Sequence, residues 1–298
     1  MRRTAHSEFL TLDSVYLKPA DQAFVSEAQL REQWSALNYL SKPDLELAKK
    51  EYERFEKLLS NHGVKVHKFS RNDSVMIDSI YCRDASIVTD YGVILCNMGK
   101  GARLNEPKAQ KEVFIQDGLS IFGQIKAPGT VEGGDVAWLD KKTLAVGHSY
   151  RTNYPGIEQL KALLEPKGIE VIVVELPHYK GVNDVFHLMS ILSPVARDLA
   201  VVYSPLMPIN FRNLLMERGF DFVEVPDDEF DSMACNVLAI APKVCVMVEG
   251  NPKTKNRLLE KGCKVHTYKG KHISVLGGGG PTCLTRPIIR LEDIDNDQ

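Results

Sequence analysis

Three residue types in this sequence could together carry out nucleophilic catalysis: a cysteine, a histidine and a carboxylate. Cys283 follows a run of four glycines, His187 stands in FHLMSIL, and Glu132 and Asp135 stand in TVEGGDVAW. A thiolate attacks an electrophilic carbon, an imidazole moves protons, and a carboxylate fixes the imidazole tautomer. The residue types alone leave open which of the two carboxylates serves.

The glycine run at residues 277–280 bears directly on Cys283. Glycine adopts positive φ angles and lets another group approach the backbone closely. We therefore expect a side chain or a ligand to lie against this loop. The alternative is that Cys283 is a buried structural cysteine, which is the ordinary interpretation for each of the six cysteines in the chain.

The candidate residues recur at nearly even spacing. Five strand-like runs each begin with a polar residue, namely Asp84, Asp135, His187, Asn236 and Cys283, at successive separations of 51, 52, 49 and 47 residues. Amphipathic stretches predict helices in the repeats at 45–59, 107–119, 157–164, 208–218 and 251–261. The spacing therefore indicates five copies of one structural unit.

Four of these runs are followed by a partner strand, and the N-terminal run FLTLDSVYLKP can supply the partner that the fifth lacks. Pairing the first repeat with the last closes a ring and removes exposed sheet edges. The sequence thus predicts an α/β fold, a five-bladed α/β propeller with pseudo-fivefold symmetry. In such a ring the five polar residues face one central pocket. No linker divides the chain, so we expect one domain over residues 1–298, with a helical insertion at about 18–43 that could act as a lid.

Composition limits the kinds of partner. Lys and Arg number 37 against 39 Asp and Glu, which gives a net charge of -2 and argues against nucleic acid and anionic membranes. No apolar run is long enough to span a bilayer, and the scattered cysteines form no CxxC pair. The histidines have no metal-ligand spacing. We expect a cytoplasmic protein without metal or cofactor that acts on a small molecule.

The segments TVEGGDVAW, FHLMSIL and GGGGPTCLTRPI, in this order and spacing, resemble the guanidine-modifying enzymes of the pentein fold. The chain is most similar to the dimethylarginine dimethylaminohydrolases, with arginine deiminases and amidinotransferases as relatives. The pentein fold is the five-bladed ring that the repeat predicts. The resemblance covers about residues 60 to 290.

The resemblance assigns roles to individual residues. It implies that Cys283 is the nucleophile, His187 the general acid and base, and Glu132 the carboxylate that completes the triad. Asp78 and Asp84, in DSIYCRD, match two acidic residues that contact the substrate. Arg151, in HSYRTN, matches an arginine that holds the substrate's α-carboxylate.

The chemistry of a guanidinium agrees with this reading. A carboxylate such as Asp84 can pair with the planar cation in a fork, and Asp135 either touches the substrate or caps the glycine turn. Attack by Cys283 would give a covalent adduct, which water activated by His187 would hydrolyse to a ureido product.

Three positions depart from the family pattern. Met189 stands where deiminases and amidinotransferases carry an aspartate; it either favours N-alkyl groups or is core. Asn97 takes the place of a second carboxylate-binding arginine, with Lys100 and Arg103 nearby, and Arg83 precedes Asp84 where glutamate is usual. These departures leave the exact substrate open.

The predicted function is therefore cysteine-dependent hydrolysis of a guanidino compound, with N-methylated arginine giving citrulline and an alkylamine. Three alternatives stay open: hydrolysis of arginine to citrulline and ammonia, transfer of an amidino group, and a non-catalytic ring that only binds. The resemblance also makes a homodimer plausible. Asn236 has no role that the sequence assigns.

Overall fold

The structure is a computed structural model that describes residues 1–292, so the last six residues of the predicted 1–298 domain lie outside the described part. The described residues form a mixed α/β fold with five small sheets. The strands are β1 Arg2–Thr4, β2 Thr11–Leu17, β3 Lys65–Lys68, β4 Ser86–Thr89, β5 Gly92–Leu95, β6 Ile121–Gln124, β7 Val136–Asp140, β8 Thr143–His148, β9 Glu170–Glu175, β10 Leu192–Ala196, β11 Leu199–Val202, β12 Asp221–Glu224, β13 Leu238–Ala241, β14 Val244–Val248, β15 Lys264–Tyr268 and β16 Thr285–Glu292.

Eight α-helices connect or flank these strands within residues 1–292. They are α1 Ala20–Ala23, α2 Glu27–Gln33, α3 Leu45–Asn61, α4 Glu106–Gln116, α5 Tyr154–Leu164, α6 Ile209–Glu217, α7 Asp227–Phe230 and α8 Pro252–Glu260. The five helices predicted from the repeats correspond to α3, α4, α5, α6 and α8. None of the helices in the described residues is long and apolar enough to cross a bilayer.

One connection pattern builds four of the sheets. The first two strands pair antiparallel, and a helix then returns the chain so that the third strand pairs parallel with the second. In β7-β8-β9, for example, Val136 lies opposite Val146, and Val146 lies opposite Val173. The orders are β4-β5-β6, β7-β8-β9, β10-β11-β12 and β13-β14-β15.

The fifth sheet joins the two ends of the chain. Its order is β1-β16-β2-β3, and β16 pairs antiparallel with β2, with Thr285 opposite Leu17. This pairing confirms that the N-terminal run partners the last strand. The sheet carries the same pattern as the others, since β2 pairs parallel with β3 after the long helix α3.

The sequence places the strand starts too early. Strands β4, β7, β13 and β16 begin one or two residues after Asp84, Asp135, Asn236 and Cys283. The error is largest at His187, because β10 begins only at residue 192. The His187 N–H donates to the Ser190 hydroxyl, and the Ser190 N–H donates to the His187 carbonyl, so a turn of 3₁₀ helix precedes the strand.

Helix α3 illustrates how the helices are fixed. Asp44 caps its first turn by accepting a hydrogen bond from the Leu47 N–H at 2.8 Å, and Gly63, with a φ of 80°, follows its end. Tyr52 and Phe55 lie on its buried face, where the Phe55 ring is 4.8 Å from that of Tyr268 in β15. The helix therefore covers the sheet beside the C-terminal glycine loop.

We expect Phe55→Ala to destabilise the fold by about 3–5 kcal/mol, because the side chain is fully buried and its loss leaves a cavity. Leu47→Ala is the matched control on the same helix, since Leu47 is 47% exposed, and it should cost less than about 1 kcal/mol. Urea unfolding measures both. Equal losses would contradict the buried position of Phe55.

Candidate active site

The segments that precede or begin strands β4, β7, β10, β13 and β16 lie next to one another. Hydrogen bonds join successive segments: the Arg83 N–H to the Cys283 carbonyl (3.2 Å), the Gly133 N–H to the Asp84 carbonyl (2.8 Å), the Leu188 N–H to Asp135 Oδ1 (3.0 Å), the Val237 N–H to the Ser193 hydroxyl (3.1 Å) and the Thr282 N–H to Asn236 Oδ1 (3.0 Å). These contacts bring residues of all five sheets to one place.

Glu132 and His187 form the central pair. His187 Nε2 lies 2.9 Å from Glu132 Oε2, and both side chains are buried. Of the two candidate carboxylates, Glu132 is therefore the one that bonds the imidazole. The other oxygen of Glu132 accepts the Lys100 backbone N–H at 3.0 Å. The Thr152 hydroxyl, in turn, accepts the Glu132 N–H and holds the residue in place.

The surroundings of His187 favour its charged form. Burial alone would lower the pKa of the imidazole, but Asp135, Glu132 and Asp84 outweigh burial and raise that pKa to about 9. His187 in turn holds the pKa of Glu132 below its ordinary value, against the effect of burial. An imidazolium beside a carboxylate can give a proton to a leaving group.

Cys283 is the only one of the six cysteines that is not fully buried. Its sulfur accepts a hydrogen bond from Asn236 Nδ2 at 3.3 Å. Thr282 donates to Asn236 Oδ1 through both its backbone N–H and its hydroxyl, and these bonds orient the amide. Asn236, for which the sequence assigns no role, therefore positions the sulfur.

The thiol of Cys283 is protonated at neutral pH in this environment. Burial, followed by the negative charge of Asp84, raises its pKa to about 11, and the hydrogen bonds from Thr282 and Asn236 offset part of this effect. A cation near the sulfur would lower that pKa, because it stabilises the thiolate.

The glycines before Cys283 are required by close contacts. A Cβ atom on Gly277 would lie 2.0 Å from the Tyr81 hydroxyl, and one on Gly280 would lie 2.4 Å from Asn236 Oδ1. Gly278 has a φ of 75°. As the sequence predicts, other groups lie close to this loop, and at Gly277 and Gly280 these groups are protein side chains.

Asp84 keeps one uncommitted oxygen. Its Oδ2 accepts a hydrogen bond from Arg103 Nη1 at 2.5 Å, while its buried Oδ1 has no partner in the described residues. Arg103 also makes two parallel bonds of 2.8 Å to Glu106, so its charge is shared between two carboxylates. Asp84 can therefore accept a further N–H through Oδ1.

Asp78 lies in a short 3₁₀ turn at Ile77–Ile80 and is already paired. Its Oδ2 lies 2.6 Å from Lys100 Nζ, which also donates to the Leu37 carbonyl. Asn97, in the position of the missing arginine, donates to the Gly129 carbonyl. Asn97 is therefore structural, and Lys100 supplies a positive charge close to the site.

Asp135 organises the loops on either side of the triad. Its Oδ1 accepts the Leu188 N–H, and its Oδ2 accepts the Ser149 hydroxyl at 2.6 Å. Burial raises its pKa to about 6, although His187 and Ser149 act in the opposite direction. The Ser149 oxygen accepts the Arg151 N–H, so Asp135 also fixes the turn that carries Arg151. Asp135 thus positions the backbone segments that carry His187 and Arg151.

Arg151 lies against the triad and is buried. Its Nη1 is 3.7 Å from Glu132 Oε1, and its Nη2 donates to the Asn183 carbonyl at 3.4 Å. The separation from Glu132 is longer than that of a direct hydrogen bond, so the guanidinium keeps donors that a second anion could use.

Cys283, His187 and Asn236 open into one cavity of about 400 Å³. Met189 also lines this cavity and packs in the hydrophobic core at the same time. Met189 is therefore part of the core, and its preference for N-alkyl groups stays a prediction from the sequence. Other apolar side chains complete the wall, including those of Val185, Phe186, Phe230, Met233 and Leu276.

Asp84, Glu132 and His187 are also the one group of potential metal ligands found in residues 1–292, with ligand atoms within 4.8 Å of one another. His187 already bonds Glu132, and Asp84 already bonds Arg103. The absence of a metal and of a cofactor stays a prediction from the sequence.

Sequence reasoning did not assign Arg103 and Asn236 to the site. Arg103 lies 19 residues after Asp84, and no local pattern links the two. The signal for Asn236 was its even spacing between His187 and Cys283, which was noted without a chemical role.

The comparisons with known proteins identify the family. A family model described as N,N dimethylarginine dimethylhydrolase, eukaryotic, matches residues 23–290. The chain belongs to this family. The resemblance drawn from the three motifs is thereby confirmed.

Individual relatives extend the comparison. The N(G),N(G)-dimethylarginine dimethylaminohydrolase of Pseudomonas aeruginosa is 26% identical over 242 residues, which cover 81% of this chain and 89% of the relative. The structure of that organism's enzyme in complex with citrulline has a TM-score of 0.76 at 21% identity, covering 93% and 100% of the two chains. An amidinotransferase of saxitoxin biosynthesis from Microseira wollei has a TM-score of 0.80 at 17% identity, covering 97% and 98%. The two structures show that the fold is shared.

Gly134 lies against the side chains of His187 and Asp84. A Cβ atom there would lie 2.4 Å from His187 Nδ1 and 2.8 Å from Asp84 Oδ1. We expect Gly134→Ala to displace the imidazole and to lower kcat by roughly 10²-fold, since small misplacements of catalytic groups have effects of that size.

Gly101→Ala is the control, because no heavy atom lies within 4 Å of its added Cβ. Steady-state kinetics and a thermal unfolding midpoint should be measured for both variants. Wild-type kcat in Gly134→Ala would contradict the placement of His187.

Proposed function

We propose that this protein is a cysteine-dependent hydrolase of a guanidino compound, with N-methylated arginine as the favoured substrate and citrulline and an alkylamine as products. The observation that carries the proposal is the arrangement of Cys283 and His187 in one cavity, with His187 bonded to the buried Glu132. Membership of the dimethylarginine dimethylhydrolase family supports the same reaction.

The uncommitted oxygen of Asp84 is suited to the guanidinium. Asp84 Oδ1 and His187 Nδ1 both lie close to Gly134, so an N–H donor bound to Asp84 is held beside the imidazole. The substrate cation also lowers the pKa of the Cys283 thiol, which loses its proton as the cation binds. Substrate binding thus creates the nucleophile.

The reaction then runs in two steps. The Cys283 sulfur bonds to the central guanidinium carbon, and His187 gives its proton to the departing nitrogen as the C–N bond breaks. This leaves a thiouronium adduct on Cys283. Water adds to the same carbon while His187 takes a proton from it, and cleavage of the C–S bond releases the ureido product and restores the sulfur.

Met189 and Arg151 carry the proposed substrate preference. Met189 gives the cavity an apolar surface near His187, which suits an N-alkyl group better than an anionic residue would. Arg151 is the proposed partner of the substrate's α-carboxylate, since its guanidinium is only loosely paired with Glu132. Asp78 contributes to the same site through Lys100.

We also propose that the five sheets are arranged as the five-bladed propeller expected from the repeat, around the segments that meet at the site. The five hydrogen bonds between successive segments support this arrangement. Residues 18–43 are the proposed lid: Asn38 and Leu40 line the cavity, and the Leu40 N–H donates to the Leu276 carbonyl. The homodimer stays a prediction from the resemblance.

The first experiment compares substrates. We expect asymmetric dimethylarginine and monomethylarginine to yield citrulline and the matching alkylamine, and Cys283→Ser to lower the rate by roughly 10³-fold or more. Cys235→Ser is the matched control, because Cys235 also lines the cavity but directs its thiol to the Val201 carbonyl.

Each result separates the alternatives. Citrulline from arginine alone would make the protein a deiminase, and a transferred amidine would make it an amidinotransferase. If asymmetric dimethylarginine, monomethylarginine and arginine all gave no product, the proposed enzymatic function would be rejected.

A second experiment follows the ionisation of Cys283. In the free protein, thiolate absorbance should rise with pH toward a midpoint near the raised pKa of about 11. A guanidinium salt at a non-denaturing concentration should move that midpoint to lower pH, because the cation stabilises the thiolate. Sodium chloride at equal ionic strength is the control, and Cys283→Ser gives the blank. An unchanged midpoint would contradict activation by the substrate.

A further inference from the structure

Three arginines and one glutamate form a second buried cluster outside the proposed catalytic cavity. Arg83, Arg286 and Arg290 are each at most 6% exposed, and Glu8 is 6% exposed. The sequence treated Arg83 as a departure that bears on the substrate. In the structure, the Arg83 side chain bonds Glu8 at 2.7 Å and lines a cavity that shares no residue with the one at Cys283.

Many of the N–H donors in this cluster have no acceptor. Arg83 donates to Glu8 and to the Val136 carbonyl through Nη2, and Arg286 donates to the Ser86 carbonyl through Nη1 at 2.5 Å. Arg290 donates through Nη1 to the carbonyls of Leu10 and Ala239. The remaining buried nitrogens without a partner in the described residues are Arg83 Nε and Nη1, Arg286 Nε, and Arg290 Nε and Nη2.

The charges of the cluster do not balance. Three guanidinium groups face a single carboxylate, that of Glu8. Burial, assisted by the positive charge of Arg83, lowers the pKa of Arg286 and Arg290 to about 10, and Glu8 only partly opposes this shift. Buried charges and buried N–H groups are costly unless a counter-charge or an acceptor is close.

A small cavity lies where an acceptor is needed. Its volume of about 10 Å³ is close to that needed for one water molecule. The residues that line it include Arg83, Arg286, Glu8 and Trp138. Arg290 does not line it. A single-atom anion fits a space of this size better than a multi-atom oxyanion or a substrate carboxylate does.

We propose that this cavity binds a single small inorganic anion of the halide type, held by the unpaired nitrogens of Arg83 and Arg286. The anion accepts the N–H groups that lack partners and reduces the excess positive charge. The site is adjacent to the segment that carries Cys283, because the Arg83 backbone N–H bonds the Cys283 carbonyl and Arg286 stands at the start of β16.

Anomalous diffraction from crystals soaked in sodium bromide locates the anion directly in the unaltered protein. We expect a bromide peak within hydrogen-bond distance of Arg83 and Arg286. A well-ordered map with water at this position and no anomalous signal, in bromide and in chloride at long wavelength, would overturn the proposal.

Thermal unfolding gives an independent readout. Gluconate is replaced by chloride at constant ionic strength. Each tenfold increase in chloride concentration above the chloride dissociation constant should raise the unfolding midpoint by a few degrees, since the anion binds only the folded protein. Arg286→Met should abolish the chloride dependence. Arg290→Met is the matched control, because Arg290 is a buried arginine of the same strand but does not line the cavity. This variant should keep the dependence of the unfolding midpoint on chloride. Equal responses of the two variants would contradict the assigned site.

Discussion

The buried bond between Glu132 and His187 is the interaction on which the rest of the site depends. A carboxylate with no solvent exposure is costly unless donors surround it, and Glu132 has His187, the Lys100 N–H and the nearby charge of Arg151. These groups come from segments far apart in the chain. The fold must bring the segments together before the imidazole is held in place, which explains why one sheet pattern is repeated around a common set of strand starts.

The same charge balance underlies the proposed preference of the site for a cation. Asp78 is matched by Lys100, and Glu106 is matched by Arg103, which also takes one oxygen of Asp84. The second oxygen of Asp84 is left without a partner. In the proposed reaction, a guanidinium supplies the missing N–H donor to Asp84 and the positive charge that stabilises the Cys283 thiolate. Substrate binding and activation of the thiol would then both follow from the same unpaired negative charge.

Local patterns were sufficient for much of the fold, because each helix buries one face at a helical period and each strand start follows a turn. Cys283, His187 and Glu132 could be proposed as a triad because they stand in distinct motifs, and the structure bonds His187 to Glu132. The start of β10 could not be predicted from the sequence, since it depends on the hydrogen bond that the Ser190 hydroxyl accepts from the His187 N–H. The pairing of Arg103 with Asp84 is likewise tertiary: Arg103 ends a 3₁₀ turn at Gly101–Arg103, and no spacing rule predicts its bond to a residue that precedes β4.

Arg83 and Asp84 show how one short segment serves two sites. Their side chains enter different surroundings: Asp84 joins the catalytic groups, whereas Arg83 joins Glu8 and the arginine cluster. Both residues lie in the turn that precedes β4, and their different partners give the positive and the negative side chain separate environments. The charge of Arg83 still reaches the sulfur, because it acts to lower the pKa of Cys283. An anion beside Arg83 would weaken that effect, so the proposed anion site and the site at Cys283 would be electrostatically coupled.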